Sequence, residues 1–190
     1  MSTSRENGAR TLTYGEAISE AIVQSMEADD SIFVTGIGIA DPKGIFDTVT
    51  EASKRFGSKR VIESPNSENA VTGIAIGAAA MGKRPIIVHA RNDFLFLAFD
   101  QMINLAAKWA YMYGGRAGRV PIVVRAIIGR GWGQGATHSQ SLQSVLAHFP
   151  GLQVVMPVTP GDAKGLMVSA LRGTAPVVIL EHRRLYDLRG

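Results

Sequence analysis

Six short runs of β-branched and other apolar residues, each separated from the next by a helical pattern, leave this chain few folds to choose from. The runs are residues 32–35, 61–62, 85–89, 121–126, 154–156 and 176–181. Apolar residues stand at consecutive positions in them, so both faces of each strand call for cover. That is the condition of a parallel sheet with helices above and below it. The expected architecture is α/β, a three-layer αβα stack around a mainly parallel sheet.

The helical segments have readable ends. Thr13-Tyr14-Gly15-Glu16 has capping-box spacing and leads into an apolar stripe of Ile18, Ala21, Ile22 and Met26. Thr159-Pro160-Gly161-Asp162 repeats that logic with proline at the first helical position, and Leu166, Val168 and Leu171 follow. Further helices are expected over 44–55, 67–81, 95–113 and 138–147. The 67–81 segment has almost no bulk, with Ala70, Gly73, Ala75, Gly77, Ala78, Ala79 and Ala80. A helical glycine costs about 1 kcal/mol relative to alanine, so this composition suits a place where another helix or a flat ligand approaches closely. No repeat or low-complexity linker interrupts the pattern. Residues 1–10 are expected to be a loose tail and 11–190 a single α/β domain.

With 46% hydrophobic and 19% charged residues in 190, a continuous core can be buried. No apolar run approaches the ~20 residues of a membrane span, and the N-terminus lacks an apolar signal core. A soluble, cytoplasmic protein without a membrane partner is the expectation. The absence of cysteine excludes a disulfide framework, a thiolate zinc site and a cysteine nucleophile. The net charge of +4 is scattered, and no basic stripe interleaves with aromatics as a nucleic-acid groove requires. His89, His148 and His182 show no ligand spacing to one another or to acids, so no metal is assigned to them. There is no G-x-S-x-G motif to support a serine hydrolase.

Three polar segments follow expected strands at their carboxyl ends, the edge where ligands bind in open parallel sheets: Pro65-Asn66-Ser67-Glu68-Asn69, Asn92-Asp93-Phe94, and residues 129–141. Glu68 reads either as an ordinary acid behind a Ser67 or Asn66 cap, or as a functional carboxylate in the apolar company of Ala70, Val71 and Ile74. Gly129-Arg130-Gly131-Trp132-Gly133-Gln134-Gly135 reads as a mobile connection or as a loop that orders around substrate or partner. It matches neither the dinucleotide fingerprint nor a P-loop, which weakens an NAD-binding reading. His138, at an expected helix start, reads as structural or as a neutral hydrogen-bonding group near reacting atoms. Phe94 reads as core or as a stacking face for a planar ring.

Taken together, Pro65 to Glu68 with Thr72-Gly73-Ile74-Ala75-Ile76-Gly77, Asp93-Phe94 through Ala98-Phe99-Asp100-Gln101, Gly135 to Ser141, Phe149-Pro150-Gly151-Leu152 and Asp162-Ala163-Lys164-Gly165-Leu166 resemble a known family. It is the N-terminal, pyrimidine-binding domain of the beta subunit of the thiamine-diphosphate-dependent component of 2-oxo-acid dehydrogenase complexes. The resemblance runs from about Leu12 to Tyr186. It implies that Glu68 activates the coenzyme aminopyrimidine, that Phe94 stacks on that ring with Asn66 also in the coenzyme site, and that His138 lies near substrate.

The family's diphosphate site uses a Gly-Asp-Gly motif with a later asparagine to hold a divalent metal, and this sequence has none. The resemblance therefore implies an alpha-type partner subunit that holds the diphosphate and Mg2+, in a heterotetramer. The family's usual C-terminal domain is expected to be absent. There are departures: Gly36-Ile37-Gly38 stands where Gly-Glu-Asp is usual, Val88 where an acid is usual, Ala90 where glutamine is frequent, and Arg91-Asn92 replaces a less polar pair. They leave open oxidative decarboxylation of a 2-oxo acid, transketolase-like or acyloin-type two-carbon transfer, and a non-catalytic interaction subunit.

Overall fold

A computed structural model describes residues 10–130 and 134–190. The expected tail lies, apart from Arg10, outside the described residues, as does the middle of the glycine-rich loop.

All six expected strands form, and every pairing is parallel. They are β1 Ile32–Gly36, β2 Val61–Glu63, β3 Arg84–His89, β4 Val123–Ile128, β5 Gln153–Val155 and β6 Val177–His182, in the order β2-β1-β3-β4-β6-β5. The central strands are buried on both faces, as consecutive apolar residues demand. The helices are α1 Tyr14–Ala28, α2 Thr50–Phe56, α3 Glu68–Ala80, α4 Trp109–Met112, α5 Gln143–Ala147 and α6 Pro160–Arg172. On one face α1 lays Ile18, Ala21, Ile22 and Met26 against Ala163, Met167 and Leu171 of α6. On the other, Val71, Ala75 and Ile76 of α3 share a core with Leu95, Met102 and Leu146. The three expected layers are therefore present.

Both capping boxes form. Glu16 N–H donates to Thr13 Oγ1 at 3.1 Å while Thr13 N–H donates to Glu16 Oε2 at 2.7 Å. Thr159 and Asp162 make the same exchange at 3.1 and 3.3 Å. Each pair satisfies two orphan donors and fixes a helix start. No described helix is long and apolar enough to cross a membrane.

Three expected helices are shorter or different. Residues 44–49 do not join α2, because Ile45, Phe46 and Asp47 take left-handed backbone conformations with φ of 43°, 56° and 68°. That reversal places Thr48 in the core, beneath β4. Over 95–113 the chain runs instead as a 3₁₀ segment (Asn92–Ala98), a π-helical segment (Asp100–Ala106) and then α4. Changing the winding keeps Leu95, Ala98, Met102 and Ala106 buried while Asn92 and Asp93, at the start, bond to a neighbouring loop. Apolar content shows that such a segment packs, not how tightly it winds. Finally, α5 starts at Gln143 rather than 138, since Gln140 and Leu142 are drawn into bonds with Asn92 and Asp93.

Two charges sit inside strands read as apolar. Arg125 in β4 and Glu181 in β6 are fully buried. Arg125 Nε donates to Glu181 Oε1 at 2.6 Å and Nη2 donates to Oε2 at 2.9 Å and to Thr48 Oγ1 at 2.9 Å. The Tyr186 hydroxyl donates to Glu181 Oε2 at 2.5 Å, and burial, followed by the Glu181 charge, pushes that hydroxyl well above the ordinary phenol range.

Candidate functional site

After β1 the chain crosses to β2 on one flank and then to β3 on the other. That reversal opens a crevice at the carboxyl ends of β1 and β3, where open α/β sheets take their ligands. A cavity of about 450 Å³ lies there. Ile37 comes to it from the turn after β1, Asn66 and Glu68 from the segment after β2, His89, Ala90 and Arg91 from the end of β3, Phe94 and Leu97 from the 3₁₀ segment that follows, and His138 from beyond β4. The four residues singled out from sequence, Asn66, Glu68, Phe94 and His138, thus line one cavity.

Glu68 is the first residue of α3. The N-cap, Ser67, makes no side-chain capping bond, so the expected Ser67 or Asn66 cap is not made at this position. A carboxylate in the first turn is stabilised by the helix dipole and by amide groups no cap occupies. Glu68 is half-buried, and its carboxylate has no hydrogen-bond or ion-pair partner among the described residues. Phe94 shows 37% of its surface, a large exposure for an aromatic ring. His138 ends a 3₁₀ turn (Ala136–His138) and meets Phe94 edge-on, with centroids 5.2 Å apart and planes at 75°. Its Nδ1 lies 3.0 Å from Thr137 Oγ1.

The turn after β3 ties down the loop that carries His138, a role sequence reading missed. Arg91, buried, donates from Nη1 to Gly129 O and from Nη2 to Gln134 Oε1, both at 3.2 Å. Asn92 Nδ2 donates to Gln140 O at 2.9 Å and Asn92 Oδ1 accepts from Leu142 N–H at 3.1 Å. Asp93 Oδ1 accepts from both the backbone and the side chain of Gln140, at 3.2 and 2.9 Å. Three consecutive residues thus hold both described ends of the 129–142 segment. Their polarity was visible in the sequence, but their partners lie 38 to 50 positions away.

Gly129 begins that segment in a left-handed conformation. Its φ is +78°, and an added Cβ would stand 2.5 Å from His182 Nε2. Gly129→Ala is therefore expected to lower stability by about 1–3 kcal/mol, read as a fall in thermal midpoint of roughly 2–12 °C. Adding His182→Ala removes the collision but not the left-handed strain, so it should restore part of the loss. A variant melting like the parent would show position 129 to be unconstrained.

The comparisons agree with this fold. Residues 10–189 match the family described as transketolase, pyrimidine binding domain. The chain is 44% identical over 191 residues to the acetoin:2,6-dichlorophenolindophenol oxidoreductase subunit beta of Cupriavidus necator, covering 96% of this chain and 56% of that one. It is 40% identical to the pyruvate dehydrogenase E1 component subunit beta of Rhizobium meliloti, covering 93% and 38%. It is 41% identical to the 2-oxoisovalerate dehydrogenase subunit beta of Bacillus subtilis, covering 93% and 54%. The chain spans about half the length of most of the curated relatives it matches. Among solved structures, a split-gene transketolase described as an inactive beta4 tetramer superposes with a TM-score of 0.71 at 20% identity, over 90% of this chain and 52% of that one. The transketolase of Leishmania mexicana gives 0.69 at 20% identity, over 91% and 25%. A match across nearly the whole chain, with relatives above 40% identity, shows that the chain belongs to the transketolase pyrimidine-binding domain family.

Proposed function

We propose that this chain is the beta-type subunit of a two-component enzyme and supplies the pyrimidine side of a thiamine-diphosphate site. The observation that carries this is one wall of the cavity: Glu68, its carboxylate without a partner at an uncapped helix start, shares it with the open ring of Phe94. An acid and an aromatic face are what a flat, basic nitrogen heterocycle requires. Glu68 would bond the ring nitrogen and hold a proton at its carboxyl oxygen, Phe94 would stack on the ring, and Asn66 would complete the edge. When bound, the coenzyme supplies a nucleophilic carbon and an electron sink for breaking a bond beside a carbonyl group. His138, edge-on to Phe94, would donate or accept a proton at the substrate oxygen.

The charged end of the coenzyme needs other residues. Among the described residues no group of three His, Cys, Asp or Glu stands close enough to hold a metal ion. An alpha-type partner subunit would carry the diphosphate and its Mg2+, in a heterotetramer that places the cavity at an interface. The exposed face of α3 supports such a neighbour, since Ile74 leaves 70% of its surface open beside Gly77. The substrate is a 2-oxo acid or, following the name of the Cupriavidus necator relative, an acyloin. Both are carbonyl compounds cleaved beside the carbonyl carbon.

The test is to express the chain with its neighbouring genes, purify the complex that forms, and identify the bound coenzyme by mass. Thiamine diphosphate in near-stoichiometric amount and dye reduction with pyruvate or acetoin are the expected results. A complex that assembles, holds no thiamine compound and takes none up would overturn the reading.

A further inference from the structure

His89 ends β3 and forms part of the cavity wall with Glu68 and Phe94. Strand alternation turns it to the side of the sheet that carries Ile87, where α3 packs. Only 6% of its surface is exposed, and Nε2 has no hydrogen-bond partner among the described residues. A buried polar atom left without a partner is costly, and a phenylalanine or leucine would fill the same space at no such cost. The strand needs no histidine here for its own sake, because its ladder bonds come from the backbone. Burial also drives the imidazole pKa down to about 4, so the ring is neutral at physiological pH. A neutral imidazole offers one donor and one acceptor. It suits a ring nitrogen, an amino or hydroxyl group, or a carbonyl oxygen.

We infer that His89 is a further binding residue of this cavity, hydrogen-bonding through its uncharged imidazole to a neutral polar group of the ligand seated beside Glu68 and Phe94. The inference rests on the coenzyme reading above. That neutral group belongs either to the heterocycle of the coenzyme or to the carbonyl or hydroxyl of the substrate, and the two are separable.

The experiment uses the chain assembled with its copurified partner, stripped of coenzyme, in parent, His89→Phe, His89→Gln and Glu68→Gln forms. Coenzyme Kd is measured by calorimetry without substrate, and KM and kcat on the reloaded complex. His89→Phe keeps the volume and removes the nitrogens, and is expected to weaken binding by about three- to tenfold, the worth of one neutral hydrogen bond. A rise in Kd assigns the bond to the coenzyme; a rise in KM at unchanged Kd assigns it to the substrate. His89→Gln, which restores a neutral donor and acceptor, should stay within about twofold of the parent. The thermal midpoint of His89→Phe should equal or exceed that of the parent, because an unpaired buried nitrogen is gone. Should that variant fail to assemble, His89→Leu replaces it.

Unchanged Kd and KM in the apolar variant would overturn the inference, as would equal losses in both variants together with a lower midpoint, the mark of a packing role. If Glu68→Gln lowers turnover while His89→Phe is silent, only the His89 inference falls. If Glu68→Gln is silent as well, the coenzyme reading falls with it.

Discussion

Replacing Glu68 by glutamine is expected to cut turnover of the assembled enzyme by about 10²- to 10⁴-fold, the range a positioned acid or base supplies. The two side chains have nearly the same shape, so the packing at the start of α3 is preserved. What is lost is the ability to hold and release a proton at the carboxyl oxygen. A second loss is the interaction of a carboxylate with the α3 dipole, worth about 0.3–1 kcal/mol, which moves the thermal midpoint by only a few degrees. Turnover and stability are therefore expected to separate: kcat collapses, while gel-filtration position and melting stay close to the parent. Half-burial in a cavity wall, rather than full exposure, is the structural reason for expecting a large chemical effect from so small a change. A subunit that only scaffolds a partner would show neither loss. Turnover within threefold of the parent in a complex loaded with coenzyme would remove Glu68 from the chemistry.

That Glu68, Asn66, Phe94 and His138 converge was legible because each follows a strand, and in a parallel sheet every strand delivers its next residue to the same edge. The strands themselves were legible for a local reason: burial on both faces leaves runs of apolar residues with no polar alternation. Local chemistry also marked the starts of α1 and α6, whose caps are written within four residues. Where partners are distant, the sequence is silent. Nothing near Asn92 says that Gln140 and Leu142 will bond to it, so the loop that carries His138 could be placed but not its anchors. The winding of 92–106 is likewise settled by what its two ends must reach. His89 left no signal at all, because an unpaired buried nitrogen is a property of its surroundings.

Arg125 and Glu181 were hidden by the same logic that revealed their strands, since one charge in a β-branched run barely disturbs it. In the fold they form a fully buried pair, and breaking it is expected to be strongly destabilising. Glu181→Leu leaves the Arg125 guanidinium inside the core with Thr48 Oγ1 as its remaining side-chain partner, and removes the acceptor of the Tyr186 hydroxyl. Removing one partner of a buried pair costs about 3–5 kcal/mol. At roughly 2–4 °C per kcal/mol for a domain of this size, that is a fall in thermal midpoint of about 6–20 °C. Arg125→Met should cost a similar amount for the converse reason, a carboxylate between β4 and β6 left without a counter-charge and with the Tyr186 hydroxyl as its remaining side-chain partner. The double variant is expected to melt above either single one, because apolar side chains of similar volume need no charge compensation. Denaturant titrations of the four forms give the coupling directly. Losses that simply add would mean that the two charges do not depend on each other, and that the backbone ladder and apolar packing hold β4 to β6 without them. β4 runs straight into Gly129 and β6 ends at His182, so the pair lies between the same two strands whose ends bring Gly129 against His182.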